Sequence, residues 1–504
     1  MKTLKNILAI FLIAFSFTSC DDDVLDTLPL DASSDATYWS SVDNAILWIN
    51  YAYRDLPGPS DYELNGMSDD AAGTGNNFQR GRQMPDDTGL YFDYSNIRHC
   101  FELMENIDRI PDLGQEDRDM LTGQARFFVG LHYFQMITLY RDVPLLKTTT
   151  SIEESDIPKT EKAEILTYIL EQLDLAIEEL PSTWPDSEAG RITKGAGLAL
   201  KSRVLLYNDR WEEAAATAKE IIDSGIYELH PNFGEVFLTV FDNATKEVIL
   251  SKQFAEGLYT HDLWNRFGFS TIGGSSQSCP LPSLINSFEC IDGLPITESP
   301  LYDPLDPWSN RDPRFAMSFI VPFDEIGGQV FDPVNNRDDK TATPTYVYFR
   351  KYIADMESQQ RNLWSNWKIF RYAETLLTYA EAQNEASGPD NSVYDAIDLI
   401  RTRVGMPALD RERYNTQETL RQAIRNERRV ELAAEQLRYY DILRWKIGEE
   451  VLGNQTYTSM EVPPDLPLKI LGDGDFDPSK HYVWPIPQDA IDRAKNLEQH
   501  PEWQ

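Results

Sequence analysis

The chain has 504 residues, 41% of them apolar, enough to bury a large core and too many for a wholly disordered chain. Its 46 Lys plus Arg against 82 Asp plus Glu leave a formal net charge of -36, which repels phosphate backbones over about 8–10 Å and excludes nucleic acid as an expected partner. Aromatic residues reach 12%, with 11 Trp, 24 Tyr and 23 Phe, more than core filling usually asks for, so some are expected to meet a ligand.

Lys2 and Lys5 precede an apolar run over 7–17. These are the charged and hydrophobic regions of a secretory leader, too short for a spanning helix of about 20 residues. The run ends at Phe17-Thr18-Ser19-Cys20, small residues directly before a cysteine, as in a bacterial lipoprotein signal whose thiol takes up lipid. Residues 1–19 are read as the signal peptide, with Phe17 in place of the more usual Leu or Val, and 20–30 as the lipidated tether. Loss of the leader removes two lysines and no acids, taking the net charge from -36 to -38. Attachment to the membrane then rests on the acyl chains of Cys20, at roughly 0.8 kcal/mol per buried methylene. Asp21, Asp22 and Asp23 follow and fit either a surface-export signal or a solvated tether. Cys100, Cys279 and Cys290 remain. An odd count leaves at least one unpaired, the spacing suggests no metal, and a Cys279–Cys290 disulfide stays open.

Helical periodicity then dominates. Apolar residues predict a long helix over 116–140 and another over 165–180, where Leu166, Ile169, Leu170, Leu173, Ile177 and Leu180 share a face and Pro181 ends the run. The stretch 198–207, the break Asn208-Asp209-Arg210 and an alanine-rich stretch 214–222 look like a tetratricopeptide hairpin, since alanines let paired helices approach closely. The pattern recurs from Tyr372 to Ala380, across Gly388-Pro389-Asp390-Asn391, and from Ala396 onward, with further helices over 417–434 and 436–447. The expected fold is mainly α, a tetratricopeptide-like hairpin scaffold. Between 227 and 367, and from 57 to 94, the texture changes to Gly, Pro, Ser, Asn and aromatic residues without period. Long irregular loops on a helical scaffold are expected to form the ligand face.

The densest charge cluster runs from Arg425-Asn426-Glu427-Arg428-Arg429-Val430-Glu431 through Glu435, Arg438, Asp441 and Arg444. The last four are spaced by three and predict a ladder of ion pairs along one helix face. Glu374, Glu381 and Glu385 are expected on a solvated or ion-paired face. A glycosidase would need one acid kept neutral in an apolar pocket, whereas every acid here has an arginine within a turn. The chain has no GxSxG, HExxH, Walker or GxGxxG motif, and its six histidines are scattered. Asp473-Gly474-Asp475-Phe476-Asp477 starts like a calcium loop, but Pro478 and Trp484 stand where Gly and the bidentate Glu belong, so an acidic turn is expected. No catalytic residue, metal ligand or cofactor is assigned. Sugar rings stack on aromatic faces while Arg, Asn and Asp meet their hydroxyls. The loop candidates for such contacts are Asn76, Arg80, Arg82 and Tyr91, then Trp264, Phe267 and Phe269, then Trp308.

A set of motifs now falls into place. Gly123-Gln124-Ala125-Arg126-Phe127-Phe128 leads to Tyr140-Arg141-Asp142-Val143-Pro144-Leu145, followed by the stretch 195–207 and by Arg311-Asp312-Pro313-Arg314. Then come Phe370-Arg371-Tyr372-Ala373-Glu374 to Glu381, Glu427-Arg428-Arg429-Val430-Glu431-Leu432, Arg438-Tyr439-Tyr440-Asp441 to Trp445, and Trp484-Pro485-Ile486-Pro487. In this combination the chain resembles the SusD/RagB nutrient-uptake lipoproteins of Bacteroidetes over essentially all of its mature length. Two departures stand out: Tyr140-Arg141-Asp142 for the commoner Tyr-Gly-Asp, and Gln499-His500-Pro501-Glu502 for the usual Gln-Asn-Pro-Gly. The resemblance implies an N-terminal SusD-like helical region over 31–225 and a C-terminal SusD/RagB region over 226–504. It further implies a non-catalytic glycan binder, lipid-anchored at the outer membrane and facing the cell exterior, that serves a SusC-like TonB-dependent transporter. A lipoprotein glycoside hydrolase or lyase and a peptide-binding helical-repeat protein are the competing readings.

Overall fold

The computed structural model describes residues 38–72, 89–151, 154–336, 342–354, 362–461 and 465–504. Cys20, Asn76, Arg80 and Arg82 lie outside these. Among the described residues ten helices have eight or more residues: α1 Val42–Ala52, α2 Ser95–Asn106, α3 Gln115–Tyr140, α4 Lys162–Glu179, α5 Lys194–Leu206, α6 Trp211–Asp223, α7 Tyr372–Ser387, α8 Asn391–Arg403, α9 Gln417–Glu431 and α10 Arg438–Trp445. None is long and apolar enough to cross a membrane.

The scaffold is mainly α, and its pairs follow the alternation of helix and turn in the sequence. α3 is the axis: from Leu121 to Tyr140 nearly every side chain is buried, as expected of a helix enclosed on all sides. α1, α2 and α4 pack around it. A Cβ at Gly130 would come 2.9 Å from Leu173, so the missing side chain sets how closely α3 and α4 approach. α5 starts at the N-cap Thr193, whose hydroxyl accepts from the Ala196 N–H at 3.2 Å. It pairs with α6 through Ala214, Ala215 and Ala218, all buried, the small-residue face expected of a tetratricopeptide hairpin. α7 packs against α6, α8 and α9, so the C-terminal hairpins continue the N-terminal ones. Strand β1 (Val248–Lys252) pairs antiparallel with β2 (Trp367–Arg371), which runs directly into α7. The long irregular region is thereby fastened to the helices at both ends.

Three details differ from expectation. The last two helices are not continuous with their predicted ends, because Ala434 and Gln436 adopt left-handed backbone, φ +66° and +65°, and α9 stops at Glu431. Of the expected acidic turn over 473–477, residues 473–475 instead end strand β4 (Ile470–Asp475), which pairs with β3 (Gly453–Thr458). Cys279 and Cys290 are separate buried thiols, one paired in a short ladder with Ala72 and the other bridged to Arg311.

The two departures from the family pattern meet in space. Arg141 terminates α3 at φ +63°, a conformation that costs a glycine nothing and other residues something. Its Nη1 bonds Glu502 at 2.6 Å, and that pair holds the Glu502 carboxyl down to about 2. The residues at the two departures, Arg141 and Glu502, thus form an ion pair.

Candidate functional site

The clustered acids singled out from the sequence are locked in the interior. Arg371 donates to Glu247 at 2.8 Å, to Glu431 at 2.6 Å and to both oxygens of Glu435 at 2.8 Å. Glu431 is also held by Arg314 and Arg403 at 3.0 and 2.7 Å, and Glu435 by Lys351 at 3.0 Å. Glu374 pairs with Arg203, and Glu381 accepts from Arg444 at 2.6 and 2.7 Å. The expected ladder along one helix face is corrected. Of its three steps only Asp441–Arg444 forms within a helix, at 2.8 Å. The left-handed turn before α10 swings Glu435 inward to Arg371, while Arg438 reaches Asp69 at 2.8 Å. The pairing is buried rather than solvated: Arg314, Arg371 and Arg428 are among the largest fully buried side chains. Burial alone would raise the Glu431 carboxyl, but Arg403, Arg371 and Arg314 hold it well below the usual range. Glu435 and Asp441 are likewise lowered against burial by their arginines. Glu431, Glu435 and Asp441 are thus held ionised, the opposite of what a general acid requires.

This interior sets the acid response. Carboxylates depressed in the folded state contribute stability above their ordinary value near 4.5, and that contribution is lost as pH falls through their folded values. Burial pushes His132, His261 and His500 down to about 4. The unfolded chain takes up those protons below pH 6.5 while the folded chain refuses them, so stability begins to fall there. Calorimetry across pH 7.5 to 4 should show Tm declining below 6.5 and steeply below 4.5; a Tm flat from 7 to 5 would contradict the histidine assignment.

The aromatic loop candidates divide. Trp264, Phe267 and Phe269 are each 0% exposed, which withdraws them as stacking platforms. The physical reason lies in the glycines that follow. After the short helix Leu263–Phe267, the chain folds back so that the Gly274 N–H donates to the Phe269 carbonyl at 2.9 Å and the Ser275 N–H to the Asn265 carbonyl at 2.6 Å. A Cβ at Gly274 would overlap the Gly268 carbonyl. The fold-back covers Trp264, whose indole donates to the Ile272 carbonyl at 3.1 Å. Phe267 and Phe269 continue into an aromatic core through Phe349, Phe331 and Tyr348. Trp308 is half-buried and leans on Phe315 of that core, centroids 6.2 Å apart. Tyr91, half-buried at φ +62°, lines a separate cavity of about 60 Å³ with Phe134, Tyr207 and Trp367, room for a few waters but not for a sugar ring.

A cleft of about 550 Å³ lies elsewhere, within the range that small ligands occupy. The turn at the end of α1, the loop 187–191 and the end of β1 with its following hairpin form its walls. The hairpin is closed by reciprocal bonds between Ala255 and Tyr259, at 2.8 and 3.0 Å, with Gly257 at φ +68°. It presents Tyr259, 45% exposed, stacked on Phe254 at 4.8 Å and 9° between planes. On the α1 side, the Arg54 guanidinium lies 4.1 Å over the Tyr51 ring, itself 48% exposed. Arg191 is oriented by Glu188 and by Asn50 at 2.9 Å. Gln253 is oriented by Asn366 at 2.9 Å and Ser251 at 2.8 Å. Tyr53 ties the walls together, accepting from the Ile192 N–H at 2.9 Å and donating to Gln124. An open aromatic face with fixed amide, guanidinium and carboxylate groups around it suits a ring with one apolar face and a polar rim. Neither Tyr259 nor Tyr51 figures among the candidates from sequence, because α1, the loop 187–191 and the hairpin come together only through the fold.

The comparisons fit this architecture. Residues 246–503 match the profile described as "SusD family", just over half of the chain. The chain belongs to the SusD family. Residues 82–206 match a second SusD-like profile, described as "Starch-binding associating with outer membrane". Among SusD-like relatives, the protein P25 of Formosa agariphila is 24% identical over 393 residues, 72% of this chain and 71% of its own. A SusD-like carbohydrate-binding protein from Bacteroides fragilis superposes with a TM-score of 0.84 at 27% identity, covering 92% of this chain and all of that one. A second SusD-like protein from the same species gives 0.83 at 28%, covering 94% of this chain and all of that one. The SusD motifs of the sequence are mostly the buried ionic core: Arg311 caps three carbonyls, and Arg314, Arg371, Glu427, Arg428, Glu431 and Asp441 make the ion pairs.

Proposed function

We propose that this SusD-family chain is a non-catalytic glycan-binding lipoprotein, anchored by lipid on Cys20 at the outer membrane, that captures oligosaccharides at the cell surface and passes them to a SusC-like TonB-dependent transporter. The observation that carries the binding step is the cleft: Tyr259, backed on one face by Phe254, lines about 550 Å³ together with Arg54, Arg191, Asn50 and Gln253. The carbohydrate-binding relative from Bacteroides fragilis and the starch-binding, outer-membrane description of the second profile support the ligand class and the location. The ion-paired state of Glu374, Glu381, Glu431, Glu435 and Asp441 supports a role without hydrolysis. Asn76, Arg80 and Arg82, with Trp308, are retained as proposed contacts for a longer ligand.

Affinity electrophoresis on a panel of polysaccharides tests the reading. At least one polysaccharide should retard the protein, Tyr259→Ala should weaken that retention about tenfold or more at unchanged Tm, and no new reducing ends should form. Failure of every polysaccharide to retard it, or release of reducing ends, would refute the proposal.

A further inference from the structure

The cleft carries a charge inversion. Over the whole chain acids outnumber bases, 82 to 46, yet the residues lining the cleft include Arg54, Arg191 and Lys252 against the single carboxylate of Glu188. The three cations are placed differently. Lys252 is 9% exposed and sets its ammonium on the Arg54 and Leu56 carbonyls at 2.7 and 2.9 Å, so its charge stands behind the wall. Arg191 is fixed by Glu188 and Asn50. Arg54 has a side chain 58% exposed and a carboxylate contact to Asp55 of only 3.3 Å.

A neutral sugar gains hydrogen bonds from such a set but little from its charge. Its hydroxyls are met as well by amides, and covering a guanidinium with a neutral ring strips water from a charge without replacing it. A carboxylate or sulfate returns that loss through charge-assisted bonds, for which the planar arginine fork is the preferred donor. Because the surrounding protein is strongly acidic, its far field repels anions, and an attractive spot has to be local, within about 8–10 Å.

We propose that the cleft selects anionic saccharides, whose ring stacks on Tyr259 and whose carboxylate or sulfate group meets Arg54, with the ammonium of Lys252 behind it. This rests on the glycan-binding reading above and names its ligand class.

Calorimetric titration of the full chain with three oligosaccharides of matched length, a neutral glucan, a polyuronate and a sulfated galactan, tests it. The polyuronate, the sulfated galactan or both should bind about tenfold or more tighter than the glucan at about 50 mM salt, and which of them does so identifies the anion. The gap should narrow at about 500 mM salt, and Arg54→Gln should remove most of it. Equal or tighter binding of the glucan overturns the selectivity while leaving glycan binding intact. A preference that survives Arg54→Gln overturns its assignment to this cleft. Binding of none of the three overturns this inference, while the glycan-binding reading stands or falls with the polysaccharide panel.

Discussion

Arg371→Ala should lower the unfolding free energy by about 3–5 kcal/mol, the cost of leaving buried carboxylates without their partner. Arg371 is fully buried and is shared by Glu247, Glu431 and Glu435, the first two with 0% and the third with 5% side-chain exposure. Its loss leaves Lys351 beside Glu435 and Arg403 beside Glu431, but leaves Glu247 with the longer ion pair to Arg403 at 3.2 Å and the His230 N–H at 2.7 Å. For a chain of this length, with an unfolding entropy of roughly 1 kcal/mol/K, the shift in Tm is about 3–5 °C. Arg371→Lys should recover little, since one ammonium cannot hold three carboxylates with the geometry of a guanidinium. Scanning calorimetry of both variants checks this, with Arg493→Ala, an exposed pair, as the variant expected to show no shift. An Arg371→Ala protein as stable as wild type would mean that the interior network adds nothing to the fold.

Trp264→Ala should cost a comparable ~3–5 kcal/mol, the range for removing a large aromatic from a packed core. It also frees the Ile272 carbonyl that accepts the indole N–H and loosens the fold-back over 268–278. The informative comparison is with Tyr259→Ala. Trp264→Ala should lower Tm while the folded fraction keeps its glycan affinity; Tyr259→Ala should do the reverse. A Trp264→Ala protein of normal stability that has lost binding would return that tryptophan to the ligand face.

The helical part of the fold is legible in the sequence because its signals are local. The 3.6-residue stripe of α4, the alanines of α6 and the Gly-Pro-Asp-Asn break before α8 each specify an element without knowledge of its partners. The site is not legible for the converse reason. Trp264 and Phe269 stand among glycines and serines, the composition of an exposed loop, and only the close crossing of Gly274 over Gly268 turns that composition into a cover for buried rings. Tyr259 stands in the hairpin tip Glu256-Gly257-Leu258-Tyr259, where an exposed Leu258 beside a turn glycine was the one local hint. Arg54 and Arg191 are 137 positions apart and meet only because α1 and the loop before α5 both lean on α3, where Gln124 accepts from Tyr53 and from Arg191. The charge cluster shows the same division: the arginines within reach of each acid announce ion pairing, but the burial of those pairs depends on Arg314 and Arg371, which come from segments far from α9.

The most direct test of glycan capture by a non-catalytic cleft is a crystal structure of the protein with an oligosaccharide that it retains. An intact ligand is predicted between the Tyr259 ring and Arg54, with a sugar face stacked on the tyrosine. Density confined to the surroundings of Tyr91 or Trp308, or a ligand cleaved beside one of the buried acids, would contradict the account.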